Sequence, residues 1–293
     1  MFTENVAKVV ERVGEILGSE YSVGATQMPK NNGVVFTAIT IMEAGSAVQQ
    51  RIFLDKDGEN VEQAAQDIAE KYKESKRSMI DTKTFFNKEY ILQNVKYQVV
   101  GLDTNKDRLE TLVHKEFLDM AATYRVPIDT FSNDEEEGSI VLTGANIGAL
   151  DITFEELDQA AAKNISESEV VFDSMMDVLM SFGSVRNAKR VEECKIKDDD
   201  MYVLTNSNAM HGAAQLMHKE LWKRLAESAE TDLVILPSSI HELIVLKDNG
   251  KFTPDEMKDI VHSVNESDAI SDIDILTDNV YRWSRKKGRL EIA

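Results

Sequence analysis

The chain has 293 residues, 42% of them hydrophobic and 29% charged, which excludes the apolar-poor composition of a disordered chain and allows one large domain or two ordinary ones. A formal net charge of -19 makes the average surface repel phosphate backbones and anionic membranes, so neither direct nucleic-acid binding nor membrane binding is expected. The single cysteine, Cys194, cannot close an internal disulfide and stands in no zinc-type spacing, which points to a reducing compartment or to indifference to redox, and a cytoplasmic setting is expected. The first residues, "MFTENVAKVVERVGEILGSE", carry acids where a signal peptide needs bases, and no run approaches the roughly 20 apolar residues of a membrane span.

In chain order, Val6, Val9, Val10, Val13, Ile16 and Leu17 recur at three- and four-residue intervals and predict an amphipathic helix. "MPKNNGVVFTAITIM" turns at Asn31 to Gly33 into a β-rich run, and "SAVQQRIFLDKDG" reads as its antiparallel partner. Residues 60–77 are helical by propensity, with Val61, Ala64, Ala65, Ile68 and Ala69 on one face. A short helix at "NKEYILQN" precedes a strand at "VKYQVVGLD", and "HKEFLDMAATYRVPI" reads as a further strand with a centre that is also compatible with helix. "FSNDEEEG" is an acidic turn. "SEVVFDSMMDVLMSFG" places Val171, Met175, Val178, Leu179 and Phe182 at helical spacing, its methionines reading as core gap-fillers, and "SVRNAKRVEECKIKDDD" after it is the most linker-like segment.

Two stretches share an outline: "SIVLTGANIGALDITFEELDQAAAKN" and "MYVLTNSNAMHGAAQLMHKELWKRLAESA" each give a short strand ending in Val-Leu-Thr, a loop with an asparagine, and a helix. The last third reads as β-α-β-β-α-β-β: "MYVLTN", a helix from Ala209 to Ala229, "DLVILP", "HELIVLK", a helix from Thr253 to Asn265 and a hairpin in "NVYRWSRKKGRLEIA". Thr253 caps the second of these helices and Pro254 suits its first position. The expected fold class is therefore α+β with mixed, largely antiparallel sheets, divided into an N-terminal region 1–130 and a C-terminal region 139–293, or continuous as one domain.

In this order, "MPKNNGVVFTAITI", "HKEFLDMAATYRVPI", "MYVLTNSNAMHGAAQL", "DLVILPSSIHELIVL" and "LTDNVYRWSRKKGRLEI" resemble a family of Clostridia and related gut Firmicutes catalogued as a domain of unknown function. Its most specific elements here are Pro237 to Glu242 (Pro-Ser-Ser-Ile-His-Glu) and Tyr202 to Asn206 (Tyr-Val-Leu-Thr-Asn). The C-terminal half is similar in outline to a second Firmicutes family that does not keep the Ser-Ser-Ile-His-Glu wording. The resemblance implies an architecture and a bacterial source, and no reaction, cofactor or catalytic residue.

Complete catalytic motifs are absent. Gly138, Gly144 and Gly148 give neither dinucleotide nor P-loop spacing, and the aspartates of "LDKDGENVE" and "DAISDIDILTDN" lack the pattern of a calcium loop. No cofactor or metal is expected. His211 and His218, seven residues apart on one predicted helix with Gln215 and Trp222 in the same stripe, are too far apart to ligate one metal but suit the margin of the core or one groove.

The densest concentration of reactive groups is Ser238, Ser239, His241 and Glu242. On a strand Ser239 and His241 would share one face and Glu242 the other, so these residues alone do not assemble a relay. The plain reading is a tight connection after Pro237 whose hydroxyls satisfy turn amides, with His241 largely buried at a strand start. The alternative is a site completed by distant groups, for which Asn206, Asn208 and His211 are candidates. Arg282, Arg285, Lys286, Lys287 and Arg289 form a basic hairpin, read as a solvated edge that neutralises neighbouring acids or as an anion patch. The expected function is a non-enzymatic cytoplasmic binding or regulatory protein with a protein partner, the acidic surface suiting a basic one. The alternatives are a small-molecule hydrolase or transferase using Ser238 or Ser239 with His241, and an acidic mimic of nucleic acid.

Overall fold

Thr3 accepts the amide of Val6 and so starts helix α1 (Glu4–Leu17), which buries Val6, Val9, Val13 and Leu17. The computed structural model describes residues 2–46, 49–54, 60–77, 87–127, 139–180, 188–196, 201–267 and 269–293; the acidic turn at 131–138 and Phe182 lie outside them. β1 (Tyr21–Pro29), β2 (Val35–Glu43) and β3 (Gln49–Phe53) form an antiparallel sheet in that order. The expected pairing of β2 with β3 is present, in register Ala38 to Phe53. β1 has no strong alternation of its own and was not legible as a strand; it is fixed by pairing along its whole length with β2. Ile39 and Ile41 of β2 meet α1 and α2 (Val61–Arg77), which buries Ala65, Ile68, Ala69 and Tyr72.

The described residues through Arg77 form one compact unit and those from Asn87 onward a second. Residues 87–127 thus belong with the C-terminal elements, not with an N-terminal region reaching residue 130. The cause is burial: Tyr97, Val99, Ala122 and Tyr124 enter the same apolar core as Trp222, Leu225 and Leu243.

In the second unit α3 (Lys88–Asn94) leads into β4 (Lys96–Gly101), and "HKEFLDMAATYRVPI" resolves into a hairpin, β5 (His114–Phe117) and β6 (Met120–Pro127). β6 lies between β4 and β5 and also pairs with β7 (Ser139–Val141). α4 (Gly144–Ala149) and α5 (Phe154–Ser166) follow, each started by a threonine capping box, Thr143 with Asn146 and Thr153 with Glu156. The first Val-Leu-Thr stretch thus does give strand, turn and helix.

The helix expected across "SEVVFDSMMDVLM" is instead β8 (Val170–Ser174) followed by a short α6 (Met175–Met180). Val170 to Phe172 are buried in the sheet, whereas Met176, Leu179 and Met180 are exposed and fill no core. The linker-like segment is also partly ordered into the fold: β9 (Ala188–Lys189) pairs with β8, and Cys194 and Ile196 are buried. β10 (Tyr202–Asn206), α7 (Lys219–Ala229), β11 (Leu233–Pro237), β12 (Leu243–Lys247), α8 (Pro254–Asn265), β13 (Tyr281–Ser284) and β14 (Arg289–Ile292) realise the expected β-α-β-β-α-β-β order. Their strands join β8 and β9 in one antiparallel sheet, ordered β14-β13-β11-β12-β10-β8-β9. With three antiparallel sheets among the described residues and helices packed on them, the protein is α+β.

One helix departs from expectation at the site described next. The stretch from Ala209 to Ala229 is not continuous: a 3-10 segment, Gly212–Met217, precedes α7, and His218 between them has non-helical dihedrals. His218 accepts the Leu221 amide at Nδ1 and caps α7, while Trp222 donates to the Gln215 carbonyl. Among the described residues no helix is long and apolar enough to cross a membrane.

Candidate functional site

The loop leaving β10 is shaped by Asn206. Its Oδ1 accepts the amides of Asn208 and Met210 at 3.1 and 3.3 Å, and its Nδ2 donates to the Met210 carbonyl at 2.6 Å. Ala209 and His211 both adopt left-handed backbone, with φ of 52° and 56°. For side-chain-bearing residues this costs about 1–2 kcal/mol each and persists only where surrounding contacts enforce it. Gly212 follows because nothing larger fits: a Cβ there would lie 2.2 Å from Thr205 Oγ1 and 2.3 Å from the His241 carbonyl oxygen.

The second component is the connection from Ser238 to Glu242. These residues form the connection between β11, which ends at Pro237, and β12, and not a strand, so the common face that a strand would give Ser239 and His241 does not arise. The Ser239 amide donates to the Glu242 carbonyl at 3.2 Å, Ser239 Oγ accepts the His241 amide at 3.0 Å, and Ser238 Oγ donates to Glu242 Oε1 at 3.4 Å. The His241 ring joins this connection to two others. Nδ1 accepts the His211 amide at 3.1 Å, and Nε2 faces Asp274 Oδ1 at 3.1 Å. An amide N–H can only donate, so Nδ1 carries the lone pair and Nε2 the proton, which it gives to Asp274. Both ring nitrogens are thereby occupied, and no hydroxyl of Ser238 or Ser239 bonds to them. The His241 side chain is 23% exposed, more open than the largely buried position expected. Its carbonyl accepts from Thr205 Oγ1 at 2.7 Å. His241 acts here as a brace: Asp274 orients its ring, and the ring fixes the backbone of His211.

That brace aims His211 into a cavity of about 370 Å³. The cavity is walled by the end of α3 and start of β4, by Arg125 and Pro127 of β6, by the end of α5 and the turn after it, and by the loop from Asn206 into the 3-10 segment. Asn206, Asn208 and His211, the three distant candidates, all line it. Ser238, Ser239 and His241 do not form its walls. Of the expected histidine stripe, His211 and Gln215 line it while His218 and Trp222 serve the start of α7 and the core.

Two side chains of the walls each keep a buried polar atom without a hydrogen-bond partner among the described residues. Gln215 is 3% exposed, and its Oε1 has no hydrogen-bond partner among the described residues. His211 Nδ1 is likewise buried without one. Burial chiefly, then Arg125, His241 and Arg108, hold His211 well below the ordinary histidine range, so it is neutral at pH 7. Arg125 is 1% exposed on β6, opposite Lys96 of β4. Sequence reasoning missed Arg125, although one signal was present: a lone charge within the otherwise uncharged "MAATYRVP".

Other candidate chemistry is absent or inert. No group of three or more His, Cys, Asp or Glu side chains is placed to hold a metal among the described residues. Burial pushes the Cys194 thiol up to about 11, away from the thiolate that a nucleophile needs. The basic hairpin is engaged with acids of its own fold: Arg282 lies 3.0 Å from Asp232 and 2.9 Å from Asp248, and Lys287 and Arg289 both meet Glu291.

No curated protein and no solved structure matches the chain. A family profile does match, over residues 2–285, and the chain belongs to that family of unknown function, DUF5688.

Proposed function

We propose that this is a cytoplasmic bacterial protein that binds a small molecule without transforming it, in a regulatory or sensing capacity, through the cavity around Arg125, His211 and Gln215. The observation that carries this reading is the contrast between two neighbouring groups of polar residues. In the connection Ser238 to Glu242 the reactive-looking groups are engaged with one another, with Asp274 or with the backbone, whereas His211 and Gln215, which line the cavity, each keep a buried polar atom, Nδ1 and Oε1, without a partner among the described residues. A buried polar atom left unbonded costs stability, and two of them on side chains that line one cavity suit a site whose side chains turn to meet a ligand.

The hydrolase or transferase alternative loses support at one point. A serine nucleophile needs a histidine lone pair within reach, and that of His241 is held by the His211 amide. Nucleic-acid mimicry has net charge alone behind it. The same charge suits a basic protein partner on the outer surface, which is compatible with a cavity that reports ligand occupancy.

Two measurements test the reading. Native mass spectrometry of the protein purified from a bacterial host should show a bound small molecule that denaturation releases and that Asn208→Trp, at the cavity mouth, excludes. A serine-reactive fluorophosphonate should leave the wild type unlabelled. Stoichiometric labelling abolished by Ser238→Ala or Ser239→Ala, and also by His241→Ala in a folded protein, would replace binding with catalysis.

A further inference from the structure

The loop after β10 is held on one side by a group that can change its charge. Ala209 and His211 keep left-handed backbone only while contacts enforce it, and hydrogen bonds tie the loop and its flanks to the connection from Ser238 to Glu242. Thr205 Oγ1 donates to the His241 carbonyl at 2.7 Å, the Ala213 amide to the Ile240 carbonyl at 3.2 Å, and the His211 amide to His241 Nδ1 at 3.1 Å. The first two acceptors are backbone carbonyls, which keep their lone pairs at any pH. The third is an imidazole nitrogen, and it accepts only while the ring is neutral.

A proton added to the His241 ring has one place to go. Nε2 already carries one and gives it to Asp274 Oδ1 at 3.1 Å, so the incoming proton takes the Nδ1 lone pair. The imidazolium then has a donor on each nitrogen, and its Nδ1–H confronts the His211 N–H. Two donors aimed at each other repel, and the bond is lost. The left-handed backbone that this bond helps to enforce is then free to relax. Asn206 keeps the amides of Asn208 and Met210, and Ala213 keeps Ile240, so the movement centres on His211 and Gly212 between them. His211 is part of the cavity wall, and its displacement opens that wall.

The groups that face His241 decide whether the imidazolium can form. Asp274 supplies a counter-charge, and both side chains are partly exposed, so water reaches the pair. Glu242, on the same connection, adds a second carboxylate, which accepts from Ser238. The His211 ring stands with its centroid 5.5 Å from that of His241. Burial chiefly, then Arg125, His241 itself and Arg108, keep the His211 ring neutral, so no second imidazolium opposes the first.

We infer that His241 is an acid-sensitive latch: on taking a proton at Nδ1 it releases the His211 amide and opens the His211 wall of the cavity, while Asp274 holds the charged ring in place. The device belongs to the chain itself and operates without a ligand.

The test is amide hydrogen exchange of the full chain from about pH 8 to about pH 5, corrected for the intrinsic pH dependence of exchange, with the His241 ring followed by NMR in the same samples. Protection of the His211 amide should fall about tenfold or more as the ring takes its proton, with the same midpoint. The amides of Ile235, on the strand paired with β13, and Val245, on the strand paired with β10, should keep theirs. His241→Asn sets a side-chain oxygen near the place of Nδ1 and cannot take a proton, so it should hold the amide protected throughout. Asp274→Asn removes the counter-charge and should move the midpoint about half a pH unit or more toward acid. His211→Asn removes the other imidazole, keeps the amide, and should leave the fall in place. The wild-type measurement decides alone where a variant does not fold. Protection that stays level while the ring titrates would overturn the latch, and so would a ring that takes no proton in this range. Loss at Ile235 and Val245 with the same midpoint is unfolding of the sheet and would overturn it too, as would a fall that survives in folded His241→Asn or vanishes in folded His211→Asn. An unmoved midpoint in folded Asp274→Asn would overturn the role given to that carboxylate.

Discussion

His211 and Gly212 concentrate most of what the loop after β10 must achieve. His211 accepts a left-handed backbone so that its amide reaches His241 and its ring reaches the cavity, and Gly212 leaves the space that Thr205 and the His241 carbonyl require. Gly212→Ala should therefore destabilise the protein by about 3 kcal/mol, at the upper end for overpacking because backbone is among the atoms met. Urea denaturation measures this, and a loss below about 1 kcal/mol would mean that the loop yields easily.

The buried histidines also set a pH dependence. Burial lowers the pKa of both His211 and His218, so between their folded pKa values and the ordinary value of 6.5 the unfolded chain binds more protons than the folded one. Stability is then complete above about pH 6.5 and falls as pH drops below it, by at most about 1.4 kcal/mol per pH unit for each histidine. His262 works in the opposite direction. Its pKa is raised, first by Asp278 and then by Glu266, so its contribution is present below pH 6.5 and lost as pH rises through the raised value. It is fully exposed, and the buried pair should dominate. Urea titrations at pH 7.5, 6.5 and 5.5 should show the decline, and His211→Asn, a residue that tolerates left-handed backbone, should reduce its slope by about half. An unchanged slope would show that His211 is not the group excluding the proton.

At the scale of elements, the β5–β6 turn is tied to the segment entering β13 through one carboxylate. Asp119 Oδ2 accepts from Thr277 and Asn279 at 2.9 Å each, and Oδ1 accepts the Tyr281 hydroxyl at 2.7 Å. Burial first, and Asp119 after it, raise the Tyr281 pKa, so the phenol stays a donor. Asp119→Ala strands three donors at once, one on a fully buried tyrosine, and should cost about 2–4 kcal/mol. A cost under about 1 kcal/mol, or a Tyr281 that titrates normally in the wild type, would contradict this. Elements were most legible where a local signal set their ends: Thr253, Pro254 and Glu256 start α8 with a capping box, as the sequence indicates. They were least legible where partners decide. "SEVVFDS" satisfies helical spacing, but its backbone groups are taken by β10 on one side and β9 on the other. A short apolar run does not reveal that competition.

For the molecule as a whole, charge governs association. A net charge of -19, with the basic hairpin paired to Asp232, Asp248 and Glu291, leaves little free positive surface for a phosphate backbone. No appreciable binding to duplex DNA is expected at physiological salt. A salt-sensitive gel shift lost on replacing Arg285, Lys286 and Lys287 would overturn this.

By itself the sequence determined the α+β class, the amphipathic faces of α1 and α2, the β2–β3 and β13–β14 hairpins, and the strand and helix order of the last third. Each of these rests on periodicity, capping or turn chemistry within about 20 residues, which is the range over which such signals act. Tertiary structure alone decided that residues 87–127 join the C-terminal core, that His241 spends both nitrogens on Asp274 and His211, and that Asn206, Asn208 and His211 share a cavity with Arg125 and Gln215. Those groups come from elements far apart in the chain, and their convergence depends on strand register and on which sheet face each side chain takes. A one-residue slip of β6 would turn Arg125 to the opposite face of its sheet while leaving every local pattern in the sequence unchanged.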